Sequence, residues 1–233
     1  MRVRANLEVK GGDTLGTVRG FLGHLLETGV VEALVVPLET PAGEGLRSGL
    51  VDDPAQLEGV NPFAPVLPAN GAELLAALTA EGGRRRVGAV LRCCQMRDLR
   101  ALAEREKVNL DHVTIIGVDC MGTYAPQDYA QLLRTSGKSP AAVTQELLRW
   151  TRQGQISPYR FREACQVCQD FVPQEADIAI GAIGLDARRE LLVTAPAEVI
   201  GRLGLVPGEA PHRQAVIARV QRLRQRRREK MAA

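Results

Sequence analysis

Aromatic residues are scarce in this chain, with three Tyr, four Phe and one Trp among 233 residues. That excludes an obvious base-stacking platform, and with it the usual kind of single-strand nucleic-acid binder. No apolar run approaches the roughly 18 residues that mark a membrane-spanning helix. The start, MRVRANLEVKGGD, sets Arg and Glu where an export signal would carry its apolar segment, so the expectation is a cytoplasmic chain with no transmembrane segment. Five cysteines are an odd number, and without an export signal they argue against a disulfide framework and for metal ligation or redox chemistry. Histidine is nearly absent. His24, His112 and His212 fall on a helix, before a strand and in the tail, and none accompanies a nucleophile.

What is present is an ordinary globular composition, 45% hydrophobic and 24% charged, long enough to bury a real core. The formal charge of +3 conceals an asymmetry. Eight basic side chains between residues 212 and 233 stand against Glu229 alone, leaving +7 there and −4 in the remainder. A basic tail on a mildly acidic body suits docking to an acidic partner better than binding nucleic acid. Val216, Ile217, Val220 and Leu223 form an apolar stripe beneath those arginines, as in a helix that lies on a partner or an anionic surface; a solvated tail is the plain alternative.

Along the chain, Val3 to Val9 reads as a strand, Lys10-Gly11-Gly12-Asp13-Thr14 as a turn, and Leu15, Val18, Phe21, Leu22 and Leu25 as one face of a helix. Val30 to Pro37 is a short buried strand, and the proline-rich stretch 38–70 reads as a long loop or lid. A helix over Ala72 to Ala80 precedes a strand at 87–91 that ends in Arg92-Cys93-Cys94. A helix over Gln95 to Lys107 then leads to a strand from Val113 that ends in Cys120. Strand, helix and strand in this order predict a parallel unit, whose loops beyond the carboxyl ends are where such sheets build sites. Ser139-Pro140 is a helix start, Ala176 to Ile183 a further strand, Pro196 to Leu203 a short helix, and a basic helix follows Pro211. The fold class is therefore α/β, a mainly parallel mixed sheet flanked by helices, with a loop-rich insertion and a C-terminal basic helix.

Cys165-Gln166-Val167-Cys168 has the spacing that lets two thiolates reach one metal centre from a tight turn. Alone it also fits a redox dithiol or half of a zinc site. Cys94 and Cys120 each end a strand of one parallel unit, so four thiols can converge on one rim; small buried hydrophobes are the alternative for those two. Neighbours on a strand point to opposite faces, so Cys93 is read as a packing residue.

The wording and order of these segments resemble the beta subunits of deazaflavin-reducing hydrogenases and related formate dehydrogenases. The family's strand ending in G-T-P-C-Q is similar to Leu91-Arg92-Cys93-Cys94-Gln95, and its I-G-L-F-C-M-G to Ile116-Gly117-Val118-Asp119-Cys120-Met121-Gly122. Its R-K-A-C-R-V-C-T-D-F resembles Arg162-Glu163-Ala164-Cys165-Gln166-Val167-Cys168-Gln169-Asp170-Phe171, and A-D-I-S-V-G-S-V-G resembles Ala176 to Gly184. At the start, a G-G-x-x-T-A-L helix ending E-G-I-I-D-G looks like Gly11-Gly12 through Ala33. The likeness covers about residues 8–185. This chain departs from it in reading Arg92-Cys93-Cys94 at the first turn and Leu185-Asp186-Ala187-Arg188-Arg189 after Gly184.

The resemblance implies a 4Fe-4S cluster on Cys94, Cys120, Cys165 and Cys168, an FAD close by, and a place among the other redox subunits of a hydrogenase, formate dehydrogenase or heterodisulfide-reductase-like complex. The ferredoxin-like cluster motifs of longer relatives are absent from the sequence, so electrons would pass through a partner subunit, with a deazaflavin or nicotinamide as candidate substrate. Lys10, Gly11, Gly12 and Thr14 are the candidate pyrophosphate turn. Gly122, Thr123 and Lys138 are candidates by proximity to the cluster loop. On this reading residues 1–210 form one iron-sulfur flavoprotein domain, with a flavin-side half at 1–86, a cluster half at 87–185 and a basic helix or tail at 211–233. A flavin-free one-electron relay and a zinc-stabilised scaffold are the rival readings.

Overall fold

The computed structural model describes residues 1–41, 43, 45–68, 71–79, 84–154 and 161–232. Seven strands form one sheet: β1 (Arg2–Glu8), β2 (Ala33–Glu39), β3 (Leu46–Val51), β4 (Val87–Leu91), β5 (Val113–Val118), β6 (Ile178–Gly181) and β7 (Glu190–Pro196), in the order β1-β7-β6-β5-β4-β2-β3. β2, β4, β5 and β6 are mutually parallel, while β3, β7 and β1 join antiparallel at the edges. The parallel centre follows from composition: β4 reads Val-Gly-Ala-Val-Leu and is buried throughout, as a strand covered on both faces must be.

Alternation along the strands divides the core. Leu34, Val36, Val90, Ile116 and Val118 pack on one face with Leu15, Val18, Leu22 and Leu25 of helix α1 (Thr14–Glu27). Val35, Ala89, Leu91 and Ile115 pack on the other with α2 (Gly71–Thr79) and α3 (Cys93–Ala103), through Leu75, Met96 and Leu99. The helix read over Ala72 to Ala80 is thus α2, apart from Ala80, which lies outside the described residues. Beyond the carboxyl ends of the parallel strands, α4 (Pro126–Ser136) and α5 (Pro140–Leu148) build a third apolar cluster with Tyr129, Leu133, Val143 and Leu147. Ser139 caps α5 as its sequence indicates, its hydroxyl accepting from Ala142 N at 3.2 Å.

Two expectations change. The stretch 38–70 is not a lid: it contains β3, hydrogen-bonded along β2, then a 3-10 turn at Pro54–Gly59 whose Leu57 is buried against α1. Its prolines lie outside β3, so they never interrupt the ladder. The C-terminal segment is a packed element along part of its length. In α8 (Arg213–Ala232), Ile217 and Val220 are buried with Phe161, Phe171 and Ile183, and α7 (Ala197–Arg202) precedes it.

Asp119, just past β5, secures that packing. Its enclosed carboxylate accepts from Ala182 N and Ile183 N, both at 2.8 Å, and from Arg213 Nη1 at 2.7 Å and Nη2 at 2.9 Å. Gly181 makes the approach possible, because a Cβ there would stand 2.8 Å from the Arg213 guanidinium carbon. Removing one member of a buried pair leaves the other charge uncompensated. The substitution Asp119→Ala is therefore expected to lower the free energy of unfolding by about 3–5 kcal/mol, read from urea denaturation; a loss below about 1 kcal/mol, the scale of an exposed pair, would show that the pair does not anchor α8.

Candidate functional site

β4 and β5 run side by side with Leu91 opposite Gly117, so Arg92-Cys93-Cys94 and Asp119-Cys120 leave the sheet as neighbours. Cys120 is fixed where its backbone N–H donates to Phe171 O at 2.9 Å. Cys165 sits in the single-turn helix α6 (Glu163–Gln166), and Cys168 lies just past it. Cys165 N donates to Arg162 O at 2.9 Å, and Arg162 N to Thr123 O at 2.9 Å, which ties the C-x-x-C turn to the loop that follows Cys120.

The structure corrects the reading of Cys93. Cys93 and Cys94 do not continue β4; they open α3, with Arg92 as the capping residue. The helix starts there because Gln95 Oε1 accepts from Arg92 N at 3.1 Å. Helical neighbours diverge by about 100°, not to the opposite faces of a strand, so both thiols remain on the same side of the molecule. Cys93 interacts electrostatically with Cys120 and Cys168, and Cys94 with Cys120 and Cys165. A surface cleft of about 470 Å³, lined by Cys93, Met96, Arg97, Arg100, Asp170 and Gln221, opens beside them.

The thiols differ in chemistry. Burial pushes Cys93, Cys94 and Cys168 above the ordinary thiol range, reinforced by the neighbouring sulfurs. Burial acts on Cys165 in the same sense but is outweighed: Thr123 Oγ1 lies 3.3 Å and Arg162 Nη2 3.7 Å from its sulfur, and these donors hold it below the ordinary value. Cys168 Sγ donates to Asp170 O at 3.2 Å.

Two arginines that the sequence reading did not single out frame the set. Arg92 is buried, and its guanidinium donates to Pro62 O at 3.1 Å and to Ala64 O, pinning that segment beside Cys94. Arg224 comes from α8. It donates to Cys168 O at 3.1 Å and Met121 O at 3.4 Å, its Cζ lies 4.4 Å from the Phe171 ring centroid, and its charge reaches Cys120, Cys165 and Cys168. Nothing in the order of eight basic residues distinguishes Arg224 from its neighbours; only the packing of α8 does. Asn61 Oδ1 and Tyr129 Oη are buried on the same rim without a hydrogen-bond partner among the described residues.

Among the described residues no three His, Cys, Asp or Glu side chains converge as on a single metal ion. A cubane asks for something different: each thiolate takes its own iron, so the sulfurs must surround a volume instead of meeting at a point. Separated thiols that still interact, on three segments of one rim, fit that requirement.

The flavin candidates are scattered along the rim. Gly11 and Gly12 turn with φ of 61° and 75°, as only glycine does easily, and the turn lies at the carboxyl end of β1. Three strand spacings separate β1 from β5, about 14 Å at the usual inter-strand distance. Asp13 points into α1, where its Oδ1 accepts from Gly16 N at 2.9 Å, so that amide is already taken. Thr14 Oγ1 donates to Ala187 O at 2.7 Å and is buried. Thr123 belongs to the Cys165 thiol instead, and Gly122 lies beneath Phe161. Lys138 pairs with Glu146 at 2.6 Å on the turn between α4 and α5. A cleft of about 460 Å³ takes in the start of the turn, lined by Glu8, Lys10, Asp13, Gly16, Thr17 and His24 among others.

Comparison with known proteins agrees on the class. A chain in a structure of the xenon-derivatised F420-reducing NiFe hydrogenase complex from Methanosarcina barkeri superposes with a TM-score of 0.65 over 98% of this chain and 91% of that one, at 15% identity, so the two share a fold. The family model for the C-terminal part of the beta subunit in coenzyme F420 hydrogenase/dehydrogenase matches residues 84–225, more than half of the chain, and the chain belongs to that family. Its relatives include the F420-dependent formate dehydrogenase 1 subunit beta of Methanococcus maripaludis, 26% identical over 76% of this chain, and the F420-dependent formate dehydrogenase subunit beta of Methanocaldococcus jannaschii, 22% identical over 73%. The chain spans about half the length of these two proteins, covering 50% and 49% of them. No helix among the described residues is long and apolar enough to cross a membrane.

The acidified thiol gives a chemical test. In metal-free, reduced protein at neutral pH, Cys165 is expected to be alkylated before Cys93, Cys94 and Cys168, because the thiolate is the reactive form. Peptide mapping after brief iodoacetamide treatment reads the order. Replacing Thr123 by Val should slow the alkylation of Cys165 and narrow its lead, Arg162 and the backbone N–H of residue 123 remaining, and an unchanged rate would show that the hydroxyl is not a cause of it.

Proposed function

We propose that the chain is an electron-transfer subunit of a multi-subunit oxidoreductase, with one 4Fe-4S cluster held by Cys94, Cys120, Cys165 and Cys168. The observation that carries this reading is the gathering of these thiols from three separate segments onto the carboxyl-end rim of the parallel sheet, in a chain of the F420 hydrogenase/dehydrogenase beta family. An FAD is proposed alongside, with the amides of Lys10, Gly11 and Gly12 as pyrophosphate donors and Arg188, whose guanidinium lies against Gly12, as counter-charge. When bound, the cluster supplies single-electron exchange and the flavin the two-electron step with a hydride carrier. Coenzyme F420, named in the relatives, is the candidate carrier, and the remaining subunits of such a complex are the candidate partners.

The protein's own residues contribute position and electrostatics. Thr123 and Arg162 stabilise the thiolate of Cys165, so this thiol ionises more readily than Cys93, Cys94 and Cys168. Partial burial of the sulfurs lowers the dielectric around them, which strengthens charge interactions at the rim. The exposed outer arginines of α8, Arg222, Arg226, Arg227 and Arg228, leave a basic surface for an acidic partner subunit.

Anaerobic purification with assay of iron, sulfide, zinc and released flavin tests the reading. About four iron and four sulfide per chain are expected, with absorbance that bleaches on dithionite, and one flavin. Zinc in place of iron would return the chain to the scaffold reading, and a cluster without flavin to the one-electron relay. Serine substitution at each thiol assigns the ligands. Cys94, Cys120, Cys165 and Cys168 variants should lose the iron while Cys93→Ser keeps it; the reverse result for Cys93 and Cys94 would move the ligand to Cys93.

A further inference from the structure

We propose that Arg224 is the built-in counter-charge of the cluster site, a positioning residue that sets the reduction potential by holding a guanidinium against the ligand loops; this rests on the cluster reading above. Of the basic residues in the outer part of α8, Arg222, Arg226, Arg227 and Arg228 face solvent, whereas Arg224 turns inward. A guanidinium taken out of water needs compensation. Arg213 on the same helix has the Asp119 carboxylate, but among the described residues no carboxylate forms an ion pair with Arg224. Its partners are the carbonyls of Cys168 and Met121 and the face of Phe171. These are the residue after Cys120, one ligand itself, and the residue whose carbonyl receives the Cys120 N–H. The negative charge left to balance the guanidinium is that of the thiolates of Cys120, Cys165 and Cys168.

The consequence is electrostatic. Four thiolates leave a cubane site net negative, and each added electron makes it more so. A fixed cation on the rim favours the reduced state, and potential responds to net charge and burial around the sulfurs. The two hydrogen bonds also clamp the Cys120 and Cys168 loops together, so the charge role must be separated from the clamp. Lysine keeps the charge as a point but loses the planar fork and the stacking; glutamine keeps a donor without charge; methionine keeps neither.

The experiment is a redox titration of full-length wild type, Arg224→Met, Arg224→Gln and Arg224→Lys under anaerobic conditions, monitored by electron paramagnetic resonance and accompanied by iron assay. For the Met and Gln variants the reduction equilibrium constant should fall about tenfold, roughly 59 mV for a one-electron couple, while the Lys variant stays near wild type. Wild-type potentials in Met or Gln overturn the proposal, as does a Lys variant that shifts as far as Gln. Where Met fails to retain the cluster, Gln against Lys decides on the same terms, and loss of the cluster from all three leaves only a clamp and overturns the charge role. Absence of iron from wild type is seen before any variant is compared, and it sinks the cluster reading itself.

Discussion

Asp119 follows β5 immediately, and its carboxylate is enclosed by two backbone amides of the β6 exit and by both terminal nitrogens of Arg213. The pairing is bidentate and buried, and four donors on the carboxylate, three on Oδ2 and one on Oδ1, offset the desolvation of the ions. Three things depend on it. It fixes the backbone from which Cys120 emerges, it holds the β6 exit beside the β5 exit, and it aims α8 across the rim so that Ile217 and Val220 reach the third apolar cluster and Arg224 reaches the thiols. A neutral residue at 119 would leave the Arg213 guanidinium without its carboxylate and α8 dependent on Ile217, Val220 and the contacts of Arg224.

Much of this was legible in the residues. Buried runs at 87–91 and 113–118 marked adjacent parallel strands, Ser139-Pro140 marked the start of α5, and the C-x-x-C spacing marked the turn. Other parts were not, for local reasons. Cys93 and Cys94 look like the end of a strand because β4 precedes them directly, and only the Gln95 side chain folding back to Arg92 N turns them into a helix start. β3 hid among prolines that border it without entering it. α4 carries a helical pair, Tyr129 and Leu133, and β7 an apolar Leu191-Leu192-Val193; both signals were short and lay beside stronger ones. Arg224 could not be found at all from sequence, since one arginine among many acquires meaning only from what it faces.

The rim balances opposing electrostatic demands. A thiol must ionise to hold a metal, yet burial pushes the ionisation of Cys94 and Cys168 upward. The chain resolves this unevenly. Cys165 is acidified by a hydroxyl and a guanidinium at its sulfur, while the others lie in reach of each other and of Arg224 or Arg92. A cation held at this rim would lower the cost of ionising each of these thiols.

The Asp119 and Arg213 partners are separated by 94 positions in the chain, and the site as a whole runs from Cys93 to Arg224. Synthesis on the ribosome delivers these pieces in order, so a nascent chain presents Cys93, Cys94 and Cys120 long before α8 can close over them. Contacts of such long range form late in folding. An early thiol group of this kind is exposed to whatever metal or oxidant the cell offers while it waits. The exposure of these thiols is thus a matter of timing as well as of structure, and it narrows only when the last helix has docked.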